Sequence, residues 1–158
     1  INKPPILLGH SDGASISIIY AGSGLEVESL ILMAPHIFVE EISINSIKNI
    51  KNIWLNSNLK EKLKKYHKDV VGAFEGWCNI WLTEEFKTWN IEKYLKEINV
   101  PILLIQGKND EYGSLEQIIG INRQVSSKIE NIVIEQCGHS PFKDYPEIVN
   151  NAIKKFLS

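Results

Sequence analysis

The chain reads as an α/β domain built on a parallel sheet, and three observations point there. Four short apolar runs, at residues 5–8, 29–33, 101–106 and 131–135, have the near-continuous hydrophobicity of strands covered on both faces. Helix-period patterns follow three of them, at residues 14–21, 117–125 and 145–157. Alternation of strand and helix implies right-handed crossovers, which stack helices on both sides of the sheet in three αβα layers.

Size and composition agree with that class. The 158 residues suffice for one domain with a real core, and 44% apolar with 23% charged residues is ordinary for a globular chain. A net charge of −2 gives no reason to expect nucleic acid or an anionic membrane as partner. Cys78 and Cys137 stand far apart without metal-ligand spacing, so they read as free thiols of a reducing, cytoplasmic compartment. No apolar run approaches the ~20 residues that span a bilayer, and no signal peptide is recognisable. The chain begins with Ile1 and its one methionine is Met33, so truncation of a longer protein is expected.

The elements follow in order. The first run, Pro5-Ile6-Leu7-Leu8, leads into Gly9-His10-Ser11-Asp12-Gly13 and then a helical segment that stops at Gly22 and Gly24. After the second run, residues 38–97 lose all strand character, and their apolar residues recur at helical spacing. Ile47, Ile50, Ile53 and Trp54 form one stripe, Leu59, Leu63 and Tyr66 a second, and Val70, Phe74, Trp77, Cys78 and Trp81 a third. This stretch holds all four tryptophans and reads as a helical cap inserted into a core of residues 1–37 and 98–158. The last helix places Ile148, Val149, Ala152, Ile153, Phe156 and Leu157 on one face, behind a first-turn proline.

The chemistry concentrates at strand ends. Gly-x-Ser-x-Gly between strand and helix describes a nucleophile elbow, a tight and strained turn that lifts a serine hydroxyl above the sheet. A serine hydroxyl is a poor nucleophile near pH 7, so it needs a base, and the base needs an orienting carboxylate. Residues 102–110 form a strand and a turn presenting Asp110, and residues 132–139 a strand and a loop presenting His139. Each has a plainer reading: Ser11 as a helix cap, Asp110 as a turn residue, His139 as a loop histidine. Glu111 is an alternative acid. The order Ser, Asp, His, each at a carboxyl end, favours the catalytic reading for the three together.

These motifs resemble the C-terminal half of an α/β-hydrolase-fold serine hydrolase, about four strands with a helical cap insert. Gly9-His10-Ser11-Asp12-Gly13, Gln106-Gly107-Lys108-Asn109-Asp110 and Gly138-His139-Ser140-Pro141 carry the resemblance, which extends over essentially the whole chain. It implies hydrolysis of carboxylic esters, thioesters or activated amides, with Ser11, His139 and Asp110 as the triad and no metal or organic cofactor. The Asp12 N–H would be one oxyanion donor. The acid in Ser-Asp-Gly is similar to that of the valacyclovirase-like branch, where it binds a substrate amino group; it also suits the positive end of the helix it opens. His10, His36, Trp77 and Trp81 complete the candidate binding set. Trp77 and Trp81 equally fit the cap's own core, and His36 a local backbone cap.

The resemblance also implies what is missing. The second oxyanion N–H comes from a loop after a strand that precedes the elbow, and no such segment is present. Loss of one donor costs on the order of 10²–10³ in turnover. The elbow strand is then expected at an open sheet edge, which invites a homo-oligomer. The alternative reading is a catalytically impaired fragment that self-associates or needs an N-terminal part. The expected partners are otherwise a small ester-like substrate, with neither nucleic acid nor membrane.

Overall fold

A computed structural model describes residues 3–158. The chain forms two compact units, one of residues 1–38 and 90–158 and the other Val39–Trp89.

The first unit carries a four-stranded parallel sheet: β1 (Ile6–His10), β2 (Ser29–Met33), β3 (Ile102–Gly107) and β4 (Ile129–Ile134), in that spatial order. The two central strands β2 and β3 are buried along their whole length, as their unbroken apolar runs require. The outer strands are not covered on both faces, contrary to the expectation for all four runs. β1 leaves Ile6 and Leu8 40% and 54% exposed, and β4 alternates toward solvent at Val133. Among the described residues each pairs with a strand on one side only.

Helix α1 (Asp12–Gly22) lies against β1. The approach is close enough that a Cβ on Gly9 would sit 2.6 Å from the Ala14 nitrogen, which explains the glycine. On the opposite face Ile31, Met33, Leu103, Ile105 and Ile134 pack with Cys137 and with Val149 of the last helix, Pro146–Leu157. The inward stripe of that helix runs through Tyr145, Val149, Ala152, Ile153 and Phe156. Ile148 and Leu157, expected on the same face, are 45% and 49% exposed because they sit at its margins. A nine-residue helix, Glu116–Gln124, follows β3, and a four-residue one, Pro141–Asp144, follows the loop after β4. The chain leaves the first unit and returns to it beside an antiparallel bridge between Phe38 and Asn90, where Ile91 N–H donates to Ile37 O at 2.8 Å.

The second unit is helical: Glu41–Asn56, Leu59–Leu63 and Val70–Trp81, then a short 3-10 turn. Its core stripe on the first helix is Ile44, Ile47 and Trp54, with Trp54 stacked on Phe74 at 4.2 Å. Ile53 and Tyr66, expected in stripes, are exposed at 49% and 73%. Ile53 neighbours Trp54 in sequence, and the ~100° turn between adjacent helical residues carries it off the buried face. Among the described residues no helix is long and apolar enough to cross a membrane.

Candidate active site

Three strand ends of the first unit converge on one constellation. β1 delivers Ser11, held by its N–H donating to Met33 O at 2.9 Å. Its backbone sits at φ 55°, ψ −124°, a left-handed conformation unusual for a non-glycine residue, so the turn is strained as an elbow requires. The turn after β3 delivers Asp110, and the loop after β4 delivers His139. These last two meet because Gly107 has no Cβ: one there would lie 2.5 Å from Cys137 O and against Gly138 O. Lys108 and Asn109 N–H groups donate to Ile134 O and Cys137 O, both at 2.9 Å, and fix the two segments together.

His139 Nε2 lies 2.9 Å from Ser11 Oγ, and its Nδ1 lies 2.9 Å from both Asp110 oxygens. A carboxylate only accepts, so Nδ1 carries the proton and Nε2 turns a lone pair to the serine. Asp110, its side chain 1% exposed, also accepts from Gln106 Nε2 (2.8 Å), Tyr112 N–H (2.8 Å) and Gly113 N–H (3.2 Å). Burial pushes its carboxyl up, but these donors, with His139 foremost, outweigh that and leave it below its ordinary value. It is therefore ionised at neutral pH.

The surroundings of His139 are aromatic. The rings of His10 and Tyr112 centre 4.9 Å away and that of His36 5.7 Å away. His10 turns its Nε2 to the His139 carbonyl at 2.7 Å. His36 is 2% exposed, and its carbonyl accepts from Ser15 Oγ at 2.6 Å. Asp12 occupies the first turn of α1. Glu111, weighed as an alternative acid, meets the His139 N–H through Oε2 at 3.2 Å, while the imidazole faces Asp110. Trp81 is buried in the second unit beside Phe86 and Trp89, and Trp77 sits edge-on to Phe74 there.

Two supporting residues had not been singled out. Gln106 is a buried amide in an otherwise apolar strand, and that one polar letter was its signal. Asp144 holds the His139 loop by accepting from Gly138 N–H at 3.0 Å, and with burial it raises the Cys137 thiol to about 11. Nothing in the sequence pattern marks it. Among the described residues no group of three or more His, Cys, Asp or Glu side chains could hold a metal ion.

Residues 1–146 match the family model described as serine aminopeptidase, S33. The chain belongs to that family, within the α/β hydrolases. It is 24% identical over 168 residues to a monoglyceride lipase homologue of Monkeypox virus, covering 96% of this chain and 61% of that protein. A relative from Mycoplasma genitalium, named among esterases and lipases, is 27% identical over 169 residues, covering 96% and 63% respectively. The chain thus spans about three-fifths of the length of the curated relatives it matches.

Solved α/β hydrolases share the fold. A serine hydrolase involved in carbazole degradation superposes with a TM-score of 0.74 at 18% identity, over 99% of this chain and 64% of that one. A thermophilic esterase from Thermogutta terrifontis gives 0.68 at 18% identity, over 98% and 65%. The sheet and flanking helices expected from the sequence are those of this fold.

Proposed function

We propose that this S33-family chain is a serine hydrolase of carboxylic esters, thioesters or activated amides. The observation that carries this reading is the continuous line Ser11 Oγ, His139 Nε2, His139 Nδ1, Asp110, with 2.9 Å at each junction. Ser11 attacks the carbonyl carbon as His139 takes the hydroxyl proton. Asp110 stabilises the resulting imidazolium, and the Asp12 N–H meets the oxyanion. His139 then returns the proton to the leaving group, and water repeats the cycle on the acyl-enzyme. An acid at position 12 fits a cationic group beside the scissile bond. Esterase and lipase names among the relatives agree with the bond type.

Incubation with a fluorophosphonate probe tests the reading, with Ser11→Ala as control. Labelling of the wild type alone supports it. An unlabelled wild type overturns it.

A second reading has its own support: an association module working through β1. Glu28 N–H donates to Pro5 O and Ser11 N–H to Met33 O. By the alternation of a parallel ladder, the backbone groups of Ile6, Leu8 and His10 therefore face the open edge. β1 carries no acid, lysine or arginine, whereas β4 carries Glu130, paired with Lys128 just before the strand. Charge deters strand addition and its lack invites it. Sedimentation of the wild type beside Leu8→Lys distinguishes the cases: concentration-dependent association lost in the variant supports pairing, and a monomer throughout refutes it.

A further inference from the structure

Side chains grip the peptide group of His139 from both sides. Its N–H donates to Glu111 Oε2 at 3.2 Å, and its carbonyl receives His10 Nε2 at 2.7 Å. His10 belongs to the elbow, next to Ser11, while His139 lies 128 residues beyond that serine. Elbow and base are therefore tied directly by this bond as well as by the Ser11–His139 bond itself.

We propose that His10 is a positioning residue: its Nε2–H holds the His139 backbone at the distance from which the imidazole reaches Ser11. This rests on the serine-hydrolase reading above for its catalytic meaning, but the tie itself does not. A carbonyl only accepts hydrogen bonds, so the tautomer of neutral His10 is fixed with the proton on Nε2. The ring is wedged between His139 at 4.9 Å and Phe142 at 5.0 Å, nearly edge-on to the latter, which leaves it little freedom to turn. Burial foremost, with the charges of His139 and Lys143, lowers its proton affinity; the His139 carbonyl and Asp110 act the other way and are outweighed. At neutral pH the imidazole is uncharged, and adds no second cation beside the imidazolium that forms on His139 during turnover.

Two substitutions separate the donor from the ring. Gln at position 10 keeps an N–H donor at the reach of Nε2 and discards the aromatic wedge. Phe keeps the wedge and discards the donor. Loss of one part-buried hydrogen bond is worth about tenfold in an equilibrium. The expectation is therefore that His10→Phe slows fluorophosphonate labelling of Ser11 by about tenfold, while His10→Gln stays within about threefold of wild type.

Labelling is paired with a readout independent of reactivity, the downfield Nδ1 proton of His139 in NMR spectra. It should broaden or shift in His10→Phe and persist in His10→Gln. A His10→Phe spectrum identical to wild type overturns the proposal, as does a His10→Gln variant impaired as much as His10→Phe. Should the Phe variant fail to fold, nitrogen shifts of wild-type His10 still decide: an Nε2-protonated tautomer supports the tie, and an Nδ1-protonated one ends it. An unlabelled wild type with the NMR pattern intact sinks the hydrolase reading and leaves the tie standing.

Discussion

Asp110→Asn is the most diagnostic single change, because the hydrogen-bond partners of Asp110 dictate how an amide must sit there. Oδ1 accepts from two backbone donors, Tyr112 and Gly113 N–H. Those donors cannot move without unfolding the turn, so the amide oxygen of Asn must take that position. Its NH₂ then falls where Oδ2 was, facing Gln106 Nε2 at 2.8 Å and His139 Nδ1 at 2.9 Å, both of them donors. Gln106 can answer by turning its amide over. For His139 the new amide donor opposes the Nδ1 proton, which keeps only the oxygen at the Oδ1 position, also 2.9 Å away and already accepting from two backbone donors; moving the proton to Nε2 relieves that conflict and removes the lone pair that faces Ser11.

A triad locked in the wrong tautomer loses on the order of 10⁴ in turnover. The same loss is expected here in the rate of fluorophosphonate labelling. Glu111→Gln is the matched control: it removes the neighbouring charge but keeps an oxygen to accept the His139 N–H, so labelling should stay within about threefold, the value of a weak hydrogen bond. The reasoning is refuted if Asp110→Asn labels within tenfold of wild type, and doubly so if Glu111→Gln then abolishes labelling.

Two further outcomes are expected. Melting temperature should fall with acid in two windows. His10, whose lowered value favours the neutral form in the folded state, contributes stability that is full above its unfolded value of about 6.5 and fades as pH falls below it; Asp110 contributes stability that is full above about 3.9 and fades as pH falls through its lower folded value. His10→Gln should therefore flatten the first window and leave the second, as calorimetry across pH will show. Separately, exposed Gln136 sits at φ 54°, where a side chain costs about 1–2 kcal/mol over glycine, so Gln136→Gly should raise the melting temperature by roughly 2–4 °C.

How much could be read from the letters depended on whether a feature was local. The three motif positions were legible because each is a strand-to-turn transition with its own chemistry. Gly9 and Gly107 mark backbones in close approach, and Ser11, Asp110 and His139 follow from where strands end. Strand ends were legible to within two residues, β4 beginning at Ile129 rather than 131. The contacts of His10 and Glu111 were not, because each reaches a peptide group brought alongside only when segments far apart in the chain meet; Asp144 instead reaches back six residues within the segment after β4, across a turn that the letters do not mark. Periodicity likewise named the apolar faces of the helices but not their margins. Ile53, Ile148 and Leu157 sit where a shift of one residue decides between core and solvent.

Order within the sheet explains why an imidazole, and not the carboxylate itself, meets the serine. Ser11 leaves β1 and Asp110 leaves β3, two strand spacings apart, a gap of roughly 10 Å. A carboxylate at the end of β3 cannot reach across that gap, and β2 between them turns aside at Ala34, which takes a positive φ as its N–H donates to Ile105 O. Only a long, flat, two-ended group fills the space, and it comes from a loop, whose backbone has more conformational freedom than a strand end. That freedom has to be removed again for chemistry. The structure removes it at four points: Asp110 on the ring, Glu111 and His10 on the peptide of His139, and Asp144 on the residue before it. Loosening any one of them should lower reactivity without touching the serine. The size of each loss would rank the ties, with Asp110 greatest because it alone sets the tautomer.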